Sequence, residues 1–148
     1  MVLPDMHKVD SGVACTHIAA GDDMEERFYV GDKGLYYKVP YFRAVKDQLA
    51  GSLIRGVSIT RFNGRDYYTK NLVYLLYHGD WSDYELSNYD GDPENNGVLN
   101  LLEEGETLIR LKCGTRFDPS NKKYYRRIYG NYGLKHKYEE VEKQGGYY

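Results

Sequence analysis

A chain of 148 residues, 41% of them hydrophobic, is long enough for one domain with its own core and short for two. It has no apolar run near the roughly 18 residues of a membrane span, no basic-then-apolar leader in MVLPDMHKVD, no phosphate-cradling glycine motif, and two cysteines, Cys15 and Cys113, outside any CxxC pair. A membrane span, a secretory signal, nucleotide use, a cysteine zinc site and a bound cofactor are therefore not expected, the two thiols fit a reducing, cytoplasmic setting, and the net charge of −2 favours no class of partner.

Residues 1–26 show no period and read as a loosely ordered lead-in. RFYVGDKGLYYKV places apolar and aromatic residues on both sides of a turn at 31–34, which predicts a hairpin. GVSITRF and RDYYT flank Asn63-Gly64, the strongest short hairpin signal in the chain. In NLVYLLYHG, Leu72, Leu75 and Leu76 share a helical face and Gly79 stands where a C-cap glycine would, so a core helix ends there. ELSNYDGDPENNGVLNLLEE reads as a short strand, a turn at DGDP and a second short helix over 98–102. TLIRLKCG, KKYYRRIYG and GLKHKYEE read as strands separated by Gly, Asn and Pro turns.

The small net charge conceals two opposed blocks. Residues 1–109 carry 10 Lys/Arg against 18 Asp/Glu, whereas residues 110–138 carry 9 against 1. Within the first block, residues 80–106 hold nine carboxylates and no Lys or Arg. Two surfaces of opposite sign follow. The chain also has 17 tyrosines, a bias that suits β-structure and contact surfaces, and five of them interleave with the cations of 110–138.

The stretches GVSITRFNGRDYYTKNLVYLLYHGDWSD and LSNYDGDPENNGVLNL resemble the small HNH homing-type endonucleases of bacteriophages, with the spacing kept through Gly64, Leu72, Gly79, Trp81, Gly91, Asp92, Asn96, Asn100 and Leu101. The resemblance covers about 75 residues. GTRFDPSNKKYYRRIYGNYGLKHKYEEVEK resembles, more weakly, the three-stranded DNA-binding module of the plant ethylene-response type. What the resemblance implies is an α+β fold: β-hairpins, a degenerate HNH-type ββα unit over 27–106, and a small basic β-rich tail over 107–148. It also implies a virus-encoded chain in the host cytoplasm. In the family a ββα unit holds one divalent metal and a histidine activates water. Here the family's Asp-His pair falls on Ser87 and Asn88, the histidine opening its core helix on Lys70, and its distal ligand near Ile109, while the loop-bracing Asn100 is kept. An amide accepts no proton near neutral pH and a lysine opposes a metal cation, so cleavage is not expected.

Residues 92–103 also match the spacing of an EF-hand calcium loop through Asp92, Glu94, Asn96, Gly97, Leu99 and Glu103. Position three is a long Glu and no second hand exists, so a turn leading into a short helix is the preferred reading. His7, His17, His78 and His136 are scattered and read as surface residues, leaving no metal site. Two partner surfaces remain. A duplex-DNA surface would use Arg116, Lys122, Lys123, Tyr124, Arg126, Arg127, Lys135 and Lys137. A surface for a basic host protein, such as a nucleic-acid enzyme or a defence component that the chain would inhibit, would use Trp81, Asp83, Tyr84, Glu85, Tyr89, Asp90 and Asp92. The expected function is a non-catalytic DNA-binding or regulatory protein, with the inhibitor as the alternative and a metal-dependent endonuclease with altered ligands as a second alternative.

Overall fold

The computed structural model of the chain describes residues 24–128 and 137–141. The fold is α+β and mostly strand. One helical turn, α1 (Met24–Arg27), leads into the hairpin β1 (Phe28–Gly31) and β2 (Gly34–Tyr37). Met24, inside the expected loose lead-in, is 2% exposed and belongs to the core; the rest of that lead-in lies outside the described residues.

After a long loop, β3 (Ser52–Ile54), β4 (Val57–Phe62) and β5 (Arg65–Tyr68) form an antiparallel sheet in that order. Both of its turns have two residues. At Arg55-Gly56 (φ 52° and 80°) and Asn63-Gly64 (φ 50° and 80°) both residues are left-handed, which matches the twist of the flanking strands. The core helix α2 (Thr69–His78) ends at Gly79, whose φ of 85° and N–H bond to the Leu75 carbonyl make the expected C-cap. Its apolar surface is wider than the leucine face: Leu72, Val73, Tyr74, Leu75 and Tyr77 are all buried.

Next come β6 (Leu86–Asn88), a 3-10 turn over Val98–Asn100, and β7 (Leu101–Glu103). The second helix expected over 98–102 is therefore only one tight turn. Its last residues have ladder partners, Asn88↔Leu101 and Ser87↔Leu102, and so short a segment gains less from a costly helical nucleus than from that pairing. The chain after β7 runs into β8 (Ile109–Arg110) and not into a helix, so the third element of a ββα unit is not found among the described residues.

A 3-10 turn at Lys112–Gly114, β9 (Thr115–Asp118), β10 (Lys123–Ile128) and β11 (Lys137–Val141) complete a four-stranded antiparallel sheet, ordered β11-β10-β9-β8. One buried cluster joins Phe28, Leu35, Phe62, Tyr67 and Leu72 to Ile109, Leu111, Phe117 and Tyr124, so the core runs across position 106/107.

The β1–β2 turn docks on the loop between β6 and β7. Asn96 donates its N–H to the Lys33 carbonyl at 2.9 Å, and Gly97 lies so close to the Asp32 carbonyl that a Cβ has no room. Gly97→Ala is expected to lower stability by about 1–3 kcal/mol through overpacking, read as a lower urea midpoint at unchanged slope; an unchanged midpoint would show that this contact is slack.

Candidate functional site

The loop from β6 to β7 is held by side-chain amides. Asn100 donates Nδ2 to Asp90 Oδ1 at 2.9 Å and to the Asn95 carbonyl at 2.8 Å, and its Oδ1 accepts the Asp90 N–H at 3.1 Å. Asn95 Nδ2 reaches Asp90 Oδ2 at 2.9 Å, and the Asp92 N–H reaches Asp90 Oδ1 at 2.9 Å. These bonds from Asn95, Asp92 and Asn100 hold the Asp90 carboxyl below its ordinary range. Asn88, at the position of the family's general base, donates Nδ2 to the Asn95 carbonyl (2.7 Å) and to Asn96 Oδ1 (2.9 Å). Asn88 therefore acts as a brace, and Asn100 keeps its loop-bracing place.

The calcium spacing does not become a calcium cage. Asp92 Oδ1 caps the Glu94 N–H at 2.9 Å, Asn96 is buried with its Oδ1 on Asn88, and Glu103 sits on β7 accepting the Tyr74 hydroxyl at 2.8 Å. Among the described residues no group of three His, Cys, Asp or Glu is placed to hold a metal ion.

Lys70, Ser87 and Asn88 line one open groove of about 440 Å³ together with Glu85, Leu86, Gly91 and Glu104. Three of the four positions singled out by resemblance thus converge. Ile109 does not: it is 2% exposed on β8 and borders a separate small cavity beside Tyr74 and His78. In the groove the Lys70 ammonium stands 5.9 Å from the Tyr68 ring centroid, and burial lowers its pKa against the opposing pull of Glu85. Of the three positions, none supplies a carboxylate or an imidazole to a divalent ion: Asn88 is tied into the loop through Nδ2, the Ser87 hydroxyl faces the Leu102 carbonyl at 3.4 Å and Lys70 is a cation, while Glu85 and Glu104 on the groove wall belong to no group of three metal-ligating side chains among the described residues.

On the tail sheet, the register separates two faces. Ile109, Phe117, Tyr124 and Val141 are paired across the four strands and pack into the core. Tyr124, expected on the DNA surface, is therefore an interior residue, 4.9 Å from the Phe117 ring. The opposite row is Arg110, Arg116, Tyr125 and Glu140, with Lys123 on the same face and Lys122 exposed in the turn before β10. Arg126 pairs with Thr115 and Glu139 on the core-side face, though it is exposed. Lys123 Nζ lies 3.5 Å from Glu140 Oε2. Arg127 and Lys137 are placed by backbone alone in β10 and β11, and Lys135 lies outside the described residues.

On the acidic side, Asp83, Glu85, Asp90 and Asp92 are exposed, as are Tyr84 and Tyr89 on either side of β6. Trp81 is half-buried and stacks on Tyr67 with ring centroids 6.2 Å apart. Of these carboxylates, those of Asp90 and Asp92 serve the loop itself.

A cluster not anticipated from sequence lies behind the helix. Arg110 Nη2 donates to the Tyr74 hydroxyl at 2.7 Å, which donates to Glu103 Oε1. His78 is wedged between the rings of Tyr74 (4.3 Å) and Tyr77 (4.7 Å). Burial, with the charges of Arg110, Lys112 and Arg116, pushes the His78 pKa down to about 4. The i,i+4 spacing of Tyr74 and His78 on α2 was the available signal.

His78 is thus neutral in the fold, while the unfolded chain takes up its proton near pH 6.5. Its contribution to stability is complete above about pH 6.5 and is lost as pH falls toward about 4, on the order of 2 kcal/mol in all. A His78→Gln variant is expected to lose less stability than the parent over that window in urea titrations; parallel profiles would contradict a buried neutral imidazole. No family model, curated protein or solved structure matches the chain, so what it does has to be read from its own residues.

Proposed function

We propose that the chain binds duplex DNA without cutting it, with the outward face of β8–β11 against the duplex. The observation that carries this reading is the set of Arg116, Tyr125 and Lys123 on one face of a continuous antiparallel sheet, with Lys122 exposed beside it, while Arg110 at the end of that row is engaged by the Tyr74 hydroxyl. The adjacent strands β9 and β10, which carry Arg116, Lys123 and Tyr125, have the width of the two-stranded ribbon that the major groove admits, and cations on their outer face neutralise phosphates. The Lys123–Glu140 pair is exposed on both sides, so it contributes little and yields readily to a phosphate. The non-cleaving half of the proposal is supported by the groove at Ser87, Asn88 and Lys70, which offers neither a carboxylate at the family's ligand position nor an imidazole at that of its base.

A second reading is favoured by one observation. Tyr84 and Tyr89, 54% and 47% exposed, stand among carboxylates in a stretch without Lys or Arg. Exposed tyrosines in a field of one sign suit capture of a basic protein, with the aromatic rings as anchors.

The two readings separate in a titration of labelled duplex against NaCl, read by fluorescence anisotropy. The DNA reading predicts a steep fall of log K with log salt, and a slope shallower by about one unit for each phosphate contact removed in Arg116→Ala, Lys122→Ala and Lys123→Ala. Arg126→Ala, from the other face, should change it less. The DNA should be recovered intact with Mg²⁺ present. Salt-insensitive binding, no binding, or equal slopes in all four variants would contradict this interface and favour the acidic face.

A further inference from the structure

The acidic first block contains a local exception. Residues 33–46 hold Lys33, Lys38, Arg43 and Lys46 and no Asp or Glu, interleaved with Tyr36, Tyr37, Tyr41 and Phe42. Lys33, Tyr36 and Tyr37 belong to the β1–β2 turn and to β2, and residues 38–46 begin the projection between β2 and β3. At its tip Tyr41 and Ala44 exchange both backbone bonds (3.1 and 2.8 Å), closing a two-residue turn on Phe42 and Arg43. Phe42 is 90% exposed, the most exposed large apolar side chain among the described residues, and its φ is 50°. A bulky residue in the left-handed region is an outlier that persists only where its surroundings over-determine it.

The surroundings do so. Tyr41 is held by the Arg27 guanidinium, 4.9 Å from its ring centroid and 5.5 Å from that of Phe62. Below the tip, the Asp47 N–H bonds the Tyr37 carbonyl at 2.7 Å, the Tyr37 N–H bonds the Gln48 carbonyl at 2.9 Å, and Tyr29 donates its hydroxyl to Asp47 Oδ1 at 2.7 Å. Val45 donates its N–H to Gln48 Oε1 at 3.1 Å. Lys38 Nζ is taken by the Glu25 carbonyl, whereas Arg43 and Lys46 are exposed and have no carboxylate partner among the described residues. The tip is thus a narrow, braced ridge with one ring at its crest and two cations beside it.

We infer that this ridge is a second nucleic-acid contact, in which the Phe42 ring wedges into a base step of the bound duplex while Arg43 and Lys46 meet the flanking phosphates. The inference rests on the DNA-binding reading above. A single apolar ring on a narrow two-residue turn suits the wedges that enter a base step by partly unstacking it, at a cost that flanking phosphate contacts offset. A bilayer needs a broader apolar face than one ring and two valines.

The test uses the full chain and a duplex carrying 2-aminopurine, whose fluorescence rises on unstacking. Binding by the parent protein should raise it. Phe42→Ala should remove the rise and weaken binding by about tenfold at unchanged salt slope, Phe42→Leu should restore most of both, and Arg43→Ala with Lys46→Ala should make the slope shallower. Salt-dependent binding with no fluorescence change and no effect of Phe42→Ala overturns the wedge and leaves the sheet interface standing. Absence of DNA binding overturns both. Capture of phosphatidylserine vesicles that is lost in Phe42→Ala, without a DNA effect, assigns the ridge to membranes and overturns the inference.

Discussion

Seven of the ten residues of helix α2 are buried, and that burial dictates what surrounds them. Leu72 and Val73 are fully enclosed, while Leu75 and Tyr77 are within a few per cent of it. A helix buried over so much of its surface has to be covered from several sides. The β1–β2 hairpin supplies Phe28 and Leu35, the central sheet Phe62 and Tyr67, and the tail sheet Ile109, Leu111, Phe117 and Tyr124. Because the tail contributes to this enclosure, its inner face is committed to packing and only its outer face is left for a partner.

The loop between β6 and β7 is held largely by side-chain amides. Asn88, Asn95, Asn96 and Asn100 form a network whose acceptors are Asp90, the Asn96 Oδ1 and backbone carbonyls. Amides donate and accept at once without charge, so they brace a loop well and move no proton. The loop is thus a structural joint, and it anchors the turn of the first hairpin through Asn96 and Gly97.

Local chemistry was legible in the sequence; choices between faces were not. Asn63-Gly64 and Gly79 need left-handed backbone, which residue type alone announces. The strand β9 was obscured because the 3-10 turn at Lys112–Gly114 interrupts what reads as one strand followed by a turn. Alternation along β10 separated Tyr124 from Lys123 and Tyr125, but only tertiary packing against Phe117 decides which set is interior. Lys70, Ser87 and Asn88 come from different elements and meet only in the folded groove, whereas Ile109 is drawn into the core by its strand partner Phe117. The Tyr74, His78, Glu103 and Arg110 cluster draws on α2, β7 and β8, and of its members only the helical pair shares a local signal.

A backbone-amide NMR titration with a short duplex in the presence of Mg²⁺ distinguishes DNA on the outer face of the sheet from DNA in the groove. Binding on the sheet is expected to shift Arg116, Lys122, Lys123 and Tyr125 and to leave the side-chain amides of Asn88, Asn95 and Asn100 unmoved. Changes centred on Lys70, Ser87 and Asn88, with the sheet silent, would contradict it.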